Sequence, residues 1–149
     1  MIESKNPYTG EVLEKFKELT KPEIDDALQS ANSRFEKWRK TTFKERADLM
    51  MKAAAELRNN KQEYAKDMSL EMGKPITQAI AEIEKCAWVC EYYAENAEKH
   101  LSPKKIKTDA SKSYVNYEPI GVVLAVMPWN YPFWQVFRFA APALMAGNI

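Results

Sequence analysis

Glycine is scarce in this chain, with four residues in 149, and cysteine and histidine are scarcer still, with two and one. Each shortage excludes some chemistry. There is no GxGxxG and no GxxxxGK[ST], so the glycine-rich loops that cradle a nucleotide's phosphates are missing. One histidine, His100, leaves no Ser-His-Asp arrangement to read. It reads instead as a residue in a last helical turn, where a cation favours the helix dipole. Two cysteines do not make a disulfide framework. Cys86 and Cys90 share a helix face at i, i+4, but two thiols do not complete a zinc site. No metal site is expected, and both cysteines read as small buried apolar residues.

Charge of one sign is lacking too: 22 basic and 21 acidic residues leave a net +1. No bulk electrostatic case exists for nucleic acid or an anionic membrane. The cluster Lys104, Lys105 and Lys107 reads as a solvated loop. The apolar run Ile120 to Met127 is too short to span a bilayer. No basic start followed by an apolar core suggests a signal peptide. A cytoplasmic protein without nucleic-acid or membrane partners is the expectation.

What is present is a succession of helix signals. After a turn at Asn6-Pro7-Tyr8-Thr9-Gly10 comes a short mixed run that fits a half-buried strand. Thr20-Lys21-Pro22-Glu23 is a capping box. Ile24, Ala27, Leu28, Ala31, Phe35 and Trp38 follow at helical spacing. Thr42-Phe43-Lys44-Glu45 is a second capping box, opening a helix with Leu49, Met50, Ala53 and Leu57 on one face. Asn59-Asn60 breaks it, and a further piece, Tyr64 to Met72, ends at Gly73. A long helix from about Pro75 to His100 has the buried stripe Ile76, Ala79, Ile80, Ile83, Ala87, Cys90 and Ala94. Glu82 and Glu91 on it read as part of a solvated face. Lys104 to Ser111 reads as a linker and Tyr114 to Glu118 as a strand. Val122 to Met127 has the pattern of a strand buried on both faces. Pro132 to Met145 reads as a helix that Pro142 should shorten or kink.

The expected fold is one domain over residues 1–149, mainly α with a few β-strands (α+β). A helical part covers about 20–100, and a strand-strand-helix part about 112–149. Its unmatched apolar end predicts self-association, since an open apolar strand edge is a template for pairing.

The richest stretch is Met127-Pro128-Trp129-Asn130-Tyr131-Pro132. A lone side-chain amide at a strand mouth, held between prolines, suits a preorganised donor for a developing oxyanion. It equally suits a plain turn. Arg138, eight residues on, can hold a carboxylate with two hydrogen bonds or sit on a helix surface. Tyr131, Trp134 and Phe137 can line a substrate tunnel or simply fill a core.

Three motifs carry a resemblance. EPIGVV…MPWNYPFWQ…PALMAGN, the opening Asn6-Pro7-Tyr8-Thr9-Gly10-Glu11, and Glu71-Met72-Gly73-Lys74-Pro75 with Ala79 and Glu82 are similar, in order, to motifs of the aldehyde dehydrogenase superfamily. WQVFR resembles the subgroup that oxidises succinic semialdehyde. The resemblance implies the first strand-turn-helix of a Rossmann-like domain with an incomplete sheet. It implies that Asn130 donates to the oxyanion formed when a cysteine attacks the aldehyde. Met127, Pro128 and Trp129 match positions beside the ribose and diphosphate of NAD or NADP, and a packed strand end would look the same. Arg138 would bind the distal carboxylate, with Tyr131 and Trp134 beside the substrate.

That family extends well beyond the position matching Ile149. Its nucleophilic cysteine, catalytic Glu and main cofactor loops have no counterpart here. The resemblance therefore implies a truncated enzyme of NAD(P)-dependent aldehyde oxidation, inactive as this chain alone and holding no cofactor tightly by itself. The alternative is a non-enzymatic self-associating module, or a half that complements a separately encoded C-terminal part.

Overall fold

The structure, a computed structural model, describes residues 2–149. Two strands, β1 (Ile2–Lys5) and β2 (Val12–Phe16), form an antiparallel hairpin. The turn signal explains its tip. Asn6 Oδ1 accepts from the backbone N–H of Tyr8 and Thr9 at 2.9 and 3.2 Å, an Asx-type closure. Four helices follow: α1 (Lys21–Trp38), α2 (Phe43–Asn59), α3 (Lys61–Met72) and α4 (Ile76–Leu101). A two-residue pairing of β3 (Lys104–Lys105) with β4 (Tyr114–Val115) precedes the last helix, α5 (Pro132–Met145). The architecture is α+β, mostly helical, with two small antiparallel sheets and no larger one among the described residues.

Both capping boxes form. Glu45 Oε2 accepts from Thr42 N at 2.7 Å, and Thr42 Oγ1 accepts from Glu45 N at 3.2 Å. At α1, Glu23 Oε2 accepts from Thr20 N at 2.7 Å. Bonds from Lys17 first, then from Thr20, hold the Glu23 carboxyl down to about 2. A depressed carboxyl stabilises the fold above its unfolded pKa, and the effect fades as pH falls through the folded one. In an NMR pH titration, the Thr20 and Glu23 amides should keep their folded shifts to below pH 4 and change only near pH 2.

The core sits around α4, which packs against α2, α3 and α5. Ala79, Ile83, Cys86, Ala87 and Cys90 are fully buried, as are Ala65 of α3 and Met145 of α5. The stripe predicted for α4 is shifted at its start: Ile76 is exposed and Glu82 is buried. On α2 the buried face is Met50, Ala54 and Leu57, with Leu49 outside it. Helix α1 joins the body at its C-terminal end, through buried Phe35 and a bond from Trp38 Nε1 to Leu144 O at 3.0 Å. Its Ile24 and Leu28 remain exposed.

Arg46, 7% exposed, ties the two ends of this body together. Its Nη1 donates to Met145 O at 2.7 Å, and its Nη2 to Thr41 O at 2.6 Å. It thereby satisfies a carbonyl orphaned at the end of α5. Gly147, at φ 90°, lies so close that an added Cβ would meet Arg46 Nη1 at 3.0 Å.

Three sequence expectations need correction here. Lys104 and Lys105, read as linker, are strand residues, while the strand expected over Tyr114 to Glu118 is only Tyr114–Val115. Val122 to Met127 is not a strand buried on both faces: Leu124 is 89% and Val126 86% exposed. The reason is partner supply. Ile149 N donates to Gly121 O at 3.1 Å and Val123 N donates to Ile149 O at 2.6 Å. That is a single rung of a parallel ladder. One rung orders residues 121–123 but neither builds a strand nor covers the side chains beyond it. Helix α5 has the expected bounds, Pro132–Met145, and Pro142 inside it does not shorten it.

Candidate functional site

The site is a turn delivered by two prolines to the start of a helix. Pro132 occupies the first turn of α5, where its missing N–H costs nothing and its fixed φ suits the helix. The turn ahead of it, Pro128 to Tyr131, lies on the surface, and Trp129 is 77% exposed. Met127 is half-buried. Asn130 is exposed, and its carboxamide has no hydrogen-bond partner among the described residues. An Asn that only makes a turn normally spends its side chain on nearby backbone. The amide protons and oxygen of Asn130 are open to solvent.

The N–H groups that open α5 have an unusual cap. Tyr131, at the N-cap position, offers no side-chain bond. Instead Glu82 of α4 reaches across, and its Oε1 accepts from Phe133 N at 3.0 Å and Trp134 N at 2.9 Å. Its Oε2 pairs with Lys74 Nζ, and the two side chains are 2% and 5% exposed. Lys74 Nζ also lies 3.7 Å from the centroid of the Tyr131 ring, a cation–π contact. Gly73 makes this reach feasible. At φ 70° it ends α3 in the left-handed region, and the chain reverses so that Lys74 faces α4. Phe133 packs against Tyr64 with ring centroids 5.3 Å apart, and Lys85 Nζ sits 4.0 Å over the Trp134 ring.

Glu82 is the residue that sequence reasoning missed. It was read as part of a solvated face, yet it is buried. A signal was there. It lies three residues after Ala79 and four before Cys86, on the buried stripe itself, where a carboxylate demands a partner. Glu91 is half-buried and bonded by Arg58, which also holds Glu84 at 3.1 Å.

The remaining sequence-predicted residues fall around the turn. Trp134 and Arg138, four apart, share a face of α5. Arg138 is exposed and has no charged partner among the described residues. Tyr131 is 47% exposed under Lys74. A cleft of about 500 Å³ beside the turn is lined by Asp67, Met68, Glu71, Met72, Trp129 and Phe133, among others. Its two charged residues are acidic. For a dinucleotide this offers an apolar wall at Trp129 and no counter-charge to a diphosphate, so these residues do not by themselves fit the anionic part of such a cofactor.

Cys86 and Cys90 are both fully buried. Burial pushes the Cys86 thiol up to about 12 and the Cys90 thiol up to about 11. At neutral pH about one thiol in ten thousand or fewer is then thiolate, the nucleophilic form. Iodoacetamide should leave both unmodified in the native chain and alkylate both in 6 M guanidinium, by intact mass; rapid native alkylation would show the burial to be wrong. No group of three metal-ligating residues exists among the described residues. Among the described residues no helix is long and apolar enough to cross a membrane.

Comparison with known proteins fits this arrangement. The family model described as "Aldehyde dehydrogenase family" matches residues 1–149. A probable succinate-semialdehyde dehydrogenase [NADP(+)] of Synechocystis sp. is 51% identical over 97% of this chain, which covers 32% of that protein. Succinate-semialdehyde dehydrogenase [NADP(+)] 1 of Mycobacterium tuberculosis is 48% identical, with the same coverages of 97% and 32%. Among solved structures, succinic semialdehyde dehydrogenase from Streptococcus pyogenes in complex with NADP+ superimposes with a TM-score of 0.93 at 37% identity, over 98% of this chain and 32% of that one. The chain belongs to the aldehyde dehydrogenase family. It spans about a third of the length of the curated relatives it matches.

Proposed function

We propose that this chain supplies the oxyanion donor and the carboxylate-binding side of an NADP-dependent succinate-semialdehyde dehydrogenase. The observation that carries the reading is the exposed, unpartnered Asn130 carboxamide at the head of α5, with unpaired Arg138 further along the same helix. Six residues at 1.5 Å each put Arg138 about 9 Å along the axis from Pro132. An extended guanidinium reaching back toward the turn and an amide at the turn can then address the two ends of a short ω-carboxyaldehyde. The names of the curated relatives support NADP over NAD and succinic semialdehyde over other aldehydes. Met127, Pro128 and Trp129 would form a wall beside the cofactor, with its charged groups held by residues outside this chain. Two free, buried cysteines suit a reducing, cytoplasmic setting.

In the reaction proposed, a cysteine sulfur from outside this chain adds to the aldehyde carbon, and the carbonyl oxygen becomes an oxyanion. Asn130 Nδ2–H donates to that oxygen. A nicotinamide cofactor held by residues outside this chain would supply the hydride acceptor, and hydrolysis of the thioester would then give the acid. The chain alone should therefore show negligible turnover. The test is a fusion of these 149 residues to the remaining two thirds of the Synechocystis relative, assayed for NADP reduction with succinic semialdehyde. Activity in the fusion supports the reading, and an inactive, folded fusion sinks it. Arg138→Gln in the fusion should raise KM for succinic semialdehyde by about 10–100-fold, the loss of a charge-assisted bond. KM for an uncharged aldehyde of similar length should not move.

A second reading, self-association, is supported by a different observation. Ile120, Leu124 and Val126 are 85%, 89% and 86% exposed along one short segment. Each large apolar side chain left wet forfeits roughly 1.5–3 kcal/mol. In this reading the isolated chain pairs with further copies along the residue 121–127 backbone. A monomer by light scattering at micromolar concentration would refute it.

A further inference from the structure

We infer that the buried Lys74–Glu82 pair is a positioning clamp for the Asn130 turn, with Glu82 acting through the N-terminus of α5 and Lys74 through Tyr131. The inference rests on the oxyanion role proposed for Asn130, and it adds the residues that aim that amide.

Asn130 sits on the surface with no bond of its own, so its direction is set by its neighbours. On the C-terminal side, Phe133 N and Trp134 N are both fixed on one oxygen of Glu82. Between them and Asn130, the Tyr131 ring lies against Lys74 Nζ. The other oxygen of Glu82 pairs with the same Lys74. Two side chains thus hold three of the four residues that follow Asn130, and Pro132 restricts the fourth.

A carboxylate buried to this degree needs strong compensation. It has three sources here: the ammonium, two backbone donors and the positive end of α5. An ordinary N-cap Ser, Thr or Asp at position 131 would have satisfied α5 locally. Recruiting Glu82 from 51 residues earlier instead locks the turn to α4, the most deeply packed helix of the body. The clamp makes the amide rigid relative to the core rather than only relative to its own helix.

The experiment compares two paired variants. Lys74→Met with Glu82→Leu removes charge and acceptor together and fills the space with apolar atoms. Lys74→Met with Glu82→Gln removes the charges but keeps an acceptor oxygen for the two amides. In the 149-residue chain, hydrogen exchange followed by NMR should show Phe133 and Trp134 amides deprotected by at least tenfold in the Leu variant and close to wild type in the Gln variant. In the fusion described above, the Leu variant should lose about 10²-fold in kcat, as expected for a misplaced group, with KM for the aldehyde within about twofold. The Gln variant should recover at least tenfold of that loss. In an Asn130→Ala background the Leu variant should cost nothing further, since the two act as one unit.

Unchanged protection of Phe133 and Trp134 in the Leu variant would overturn the clamp. So would equal kcat in the Leu and Gln variants, or a loss that adds in full to that of Asn130→Ala. Failure of both variants to give a cooperative melt would also overturn it, in favour of a purely structural pair. An inactive wild-type fusion bears on the proposed function instead, and the exchange measurement still decides whether Glu82 holds the turn.

Discussion

Lys74→Met alone should lower the unfolding free energy by about 3 kcal/mol, measured by urea denaturation followed by circular dichroism. Removing one partner of a buried pair typically costs about 3–5 kcal/mol because the other charge is left without compensation. The lower end applies here. Glu82 retains two backbone donors and the α5 terminus after Lys74 is gone. For scale, a small domain's whole stability is about 5–15 kcal/mol. Lys74→Met combined with Glu82→Gln should recover much of the loss, because no buried charge remains and the two N–H groups keep an acceptor. With Glu82→Leu in its place the recovery is smaller or absent, because the N–H groups of Phe133 and Trp134 lose their acceptor, each costing about 1–3 kcal/mol if dry and less where water reaches it. A single variant as stable as wild type would mean that the pair is hydrated in solution.

Asn130→Ala should have the opposite profile. In the fusion with the Synechocystis relative, kcat should fall about 10²–10³-fold, or roughly 2.7–4 kcal/mol of barrier, the usual cost of one oxyanion donor. KM should change little, because the bond is made to an oxygen that carries charge only after attack. Stability of the chain should stay within about 0.5 kcal/mol of wild type, since the carboxamide is exposed and bonds nothing. A drop in kcat accompanied by an equal drop in stability would assign Asn130 to the turn rather than to the chemistry. The two substitutions thus separate holding the site from being the site.

The family's motifs acquire physical content from this geometry. In the stretch Glu71 to Glu82, Gly73 supplies a left-handed turn, and Lys74 and Glu82 are the two members of one buried pair. In the last stretch, Asn148 Oδ1 accepts from Ile120 N and Gly121 N at 2.7 and 3.2 Å. It fastens the end of the chain to the turn that leads toward Asn130. Neither pairing is visible as a spacing rule, because each partner lies in a different element.

The amino-acid sequence by itself determined the helices and most of their ends, although α3 begins at Lys61, ahead of the expected Tyr64. Thr20 with Glu23, Thr42 with Glu45, and Gly73 act on backbone within four residues of themselves, so their message is local. It also determined most of the α4 stripe. Only the tertiary structure decided which polar groups are buried. Glu82 meets α5 across 51 residues, and Arg46 meets Met145 across 99, distances over which no periodicity reaches. The same holds for Val122 to Met127. Apolar composition offers a strand, but a strand exists only when another backbone accepts and donates along its edge. Among the described residues a single rung at Ile149 does so.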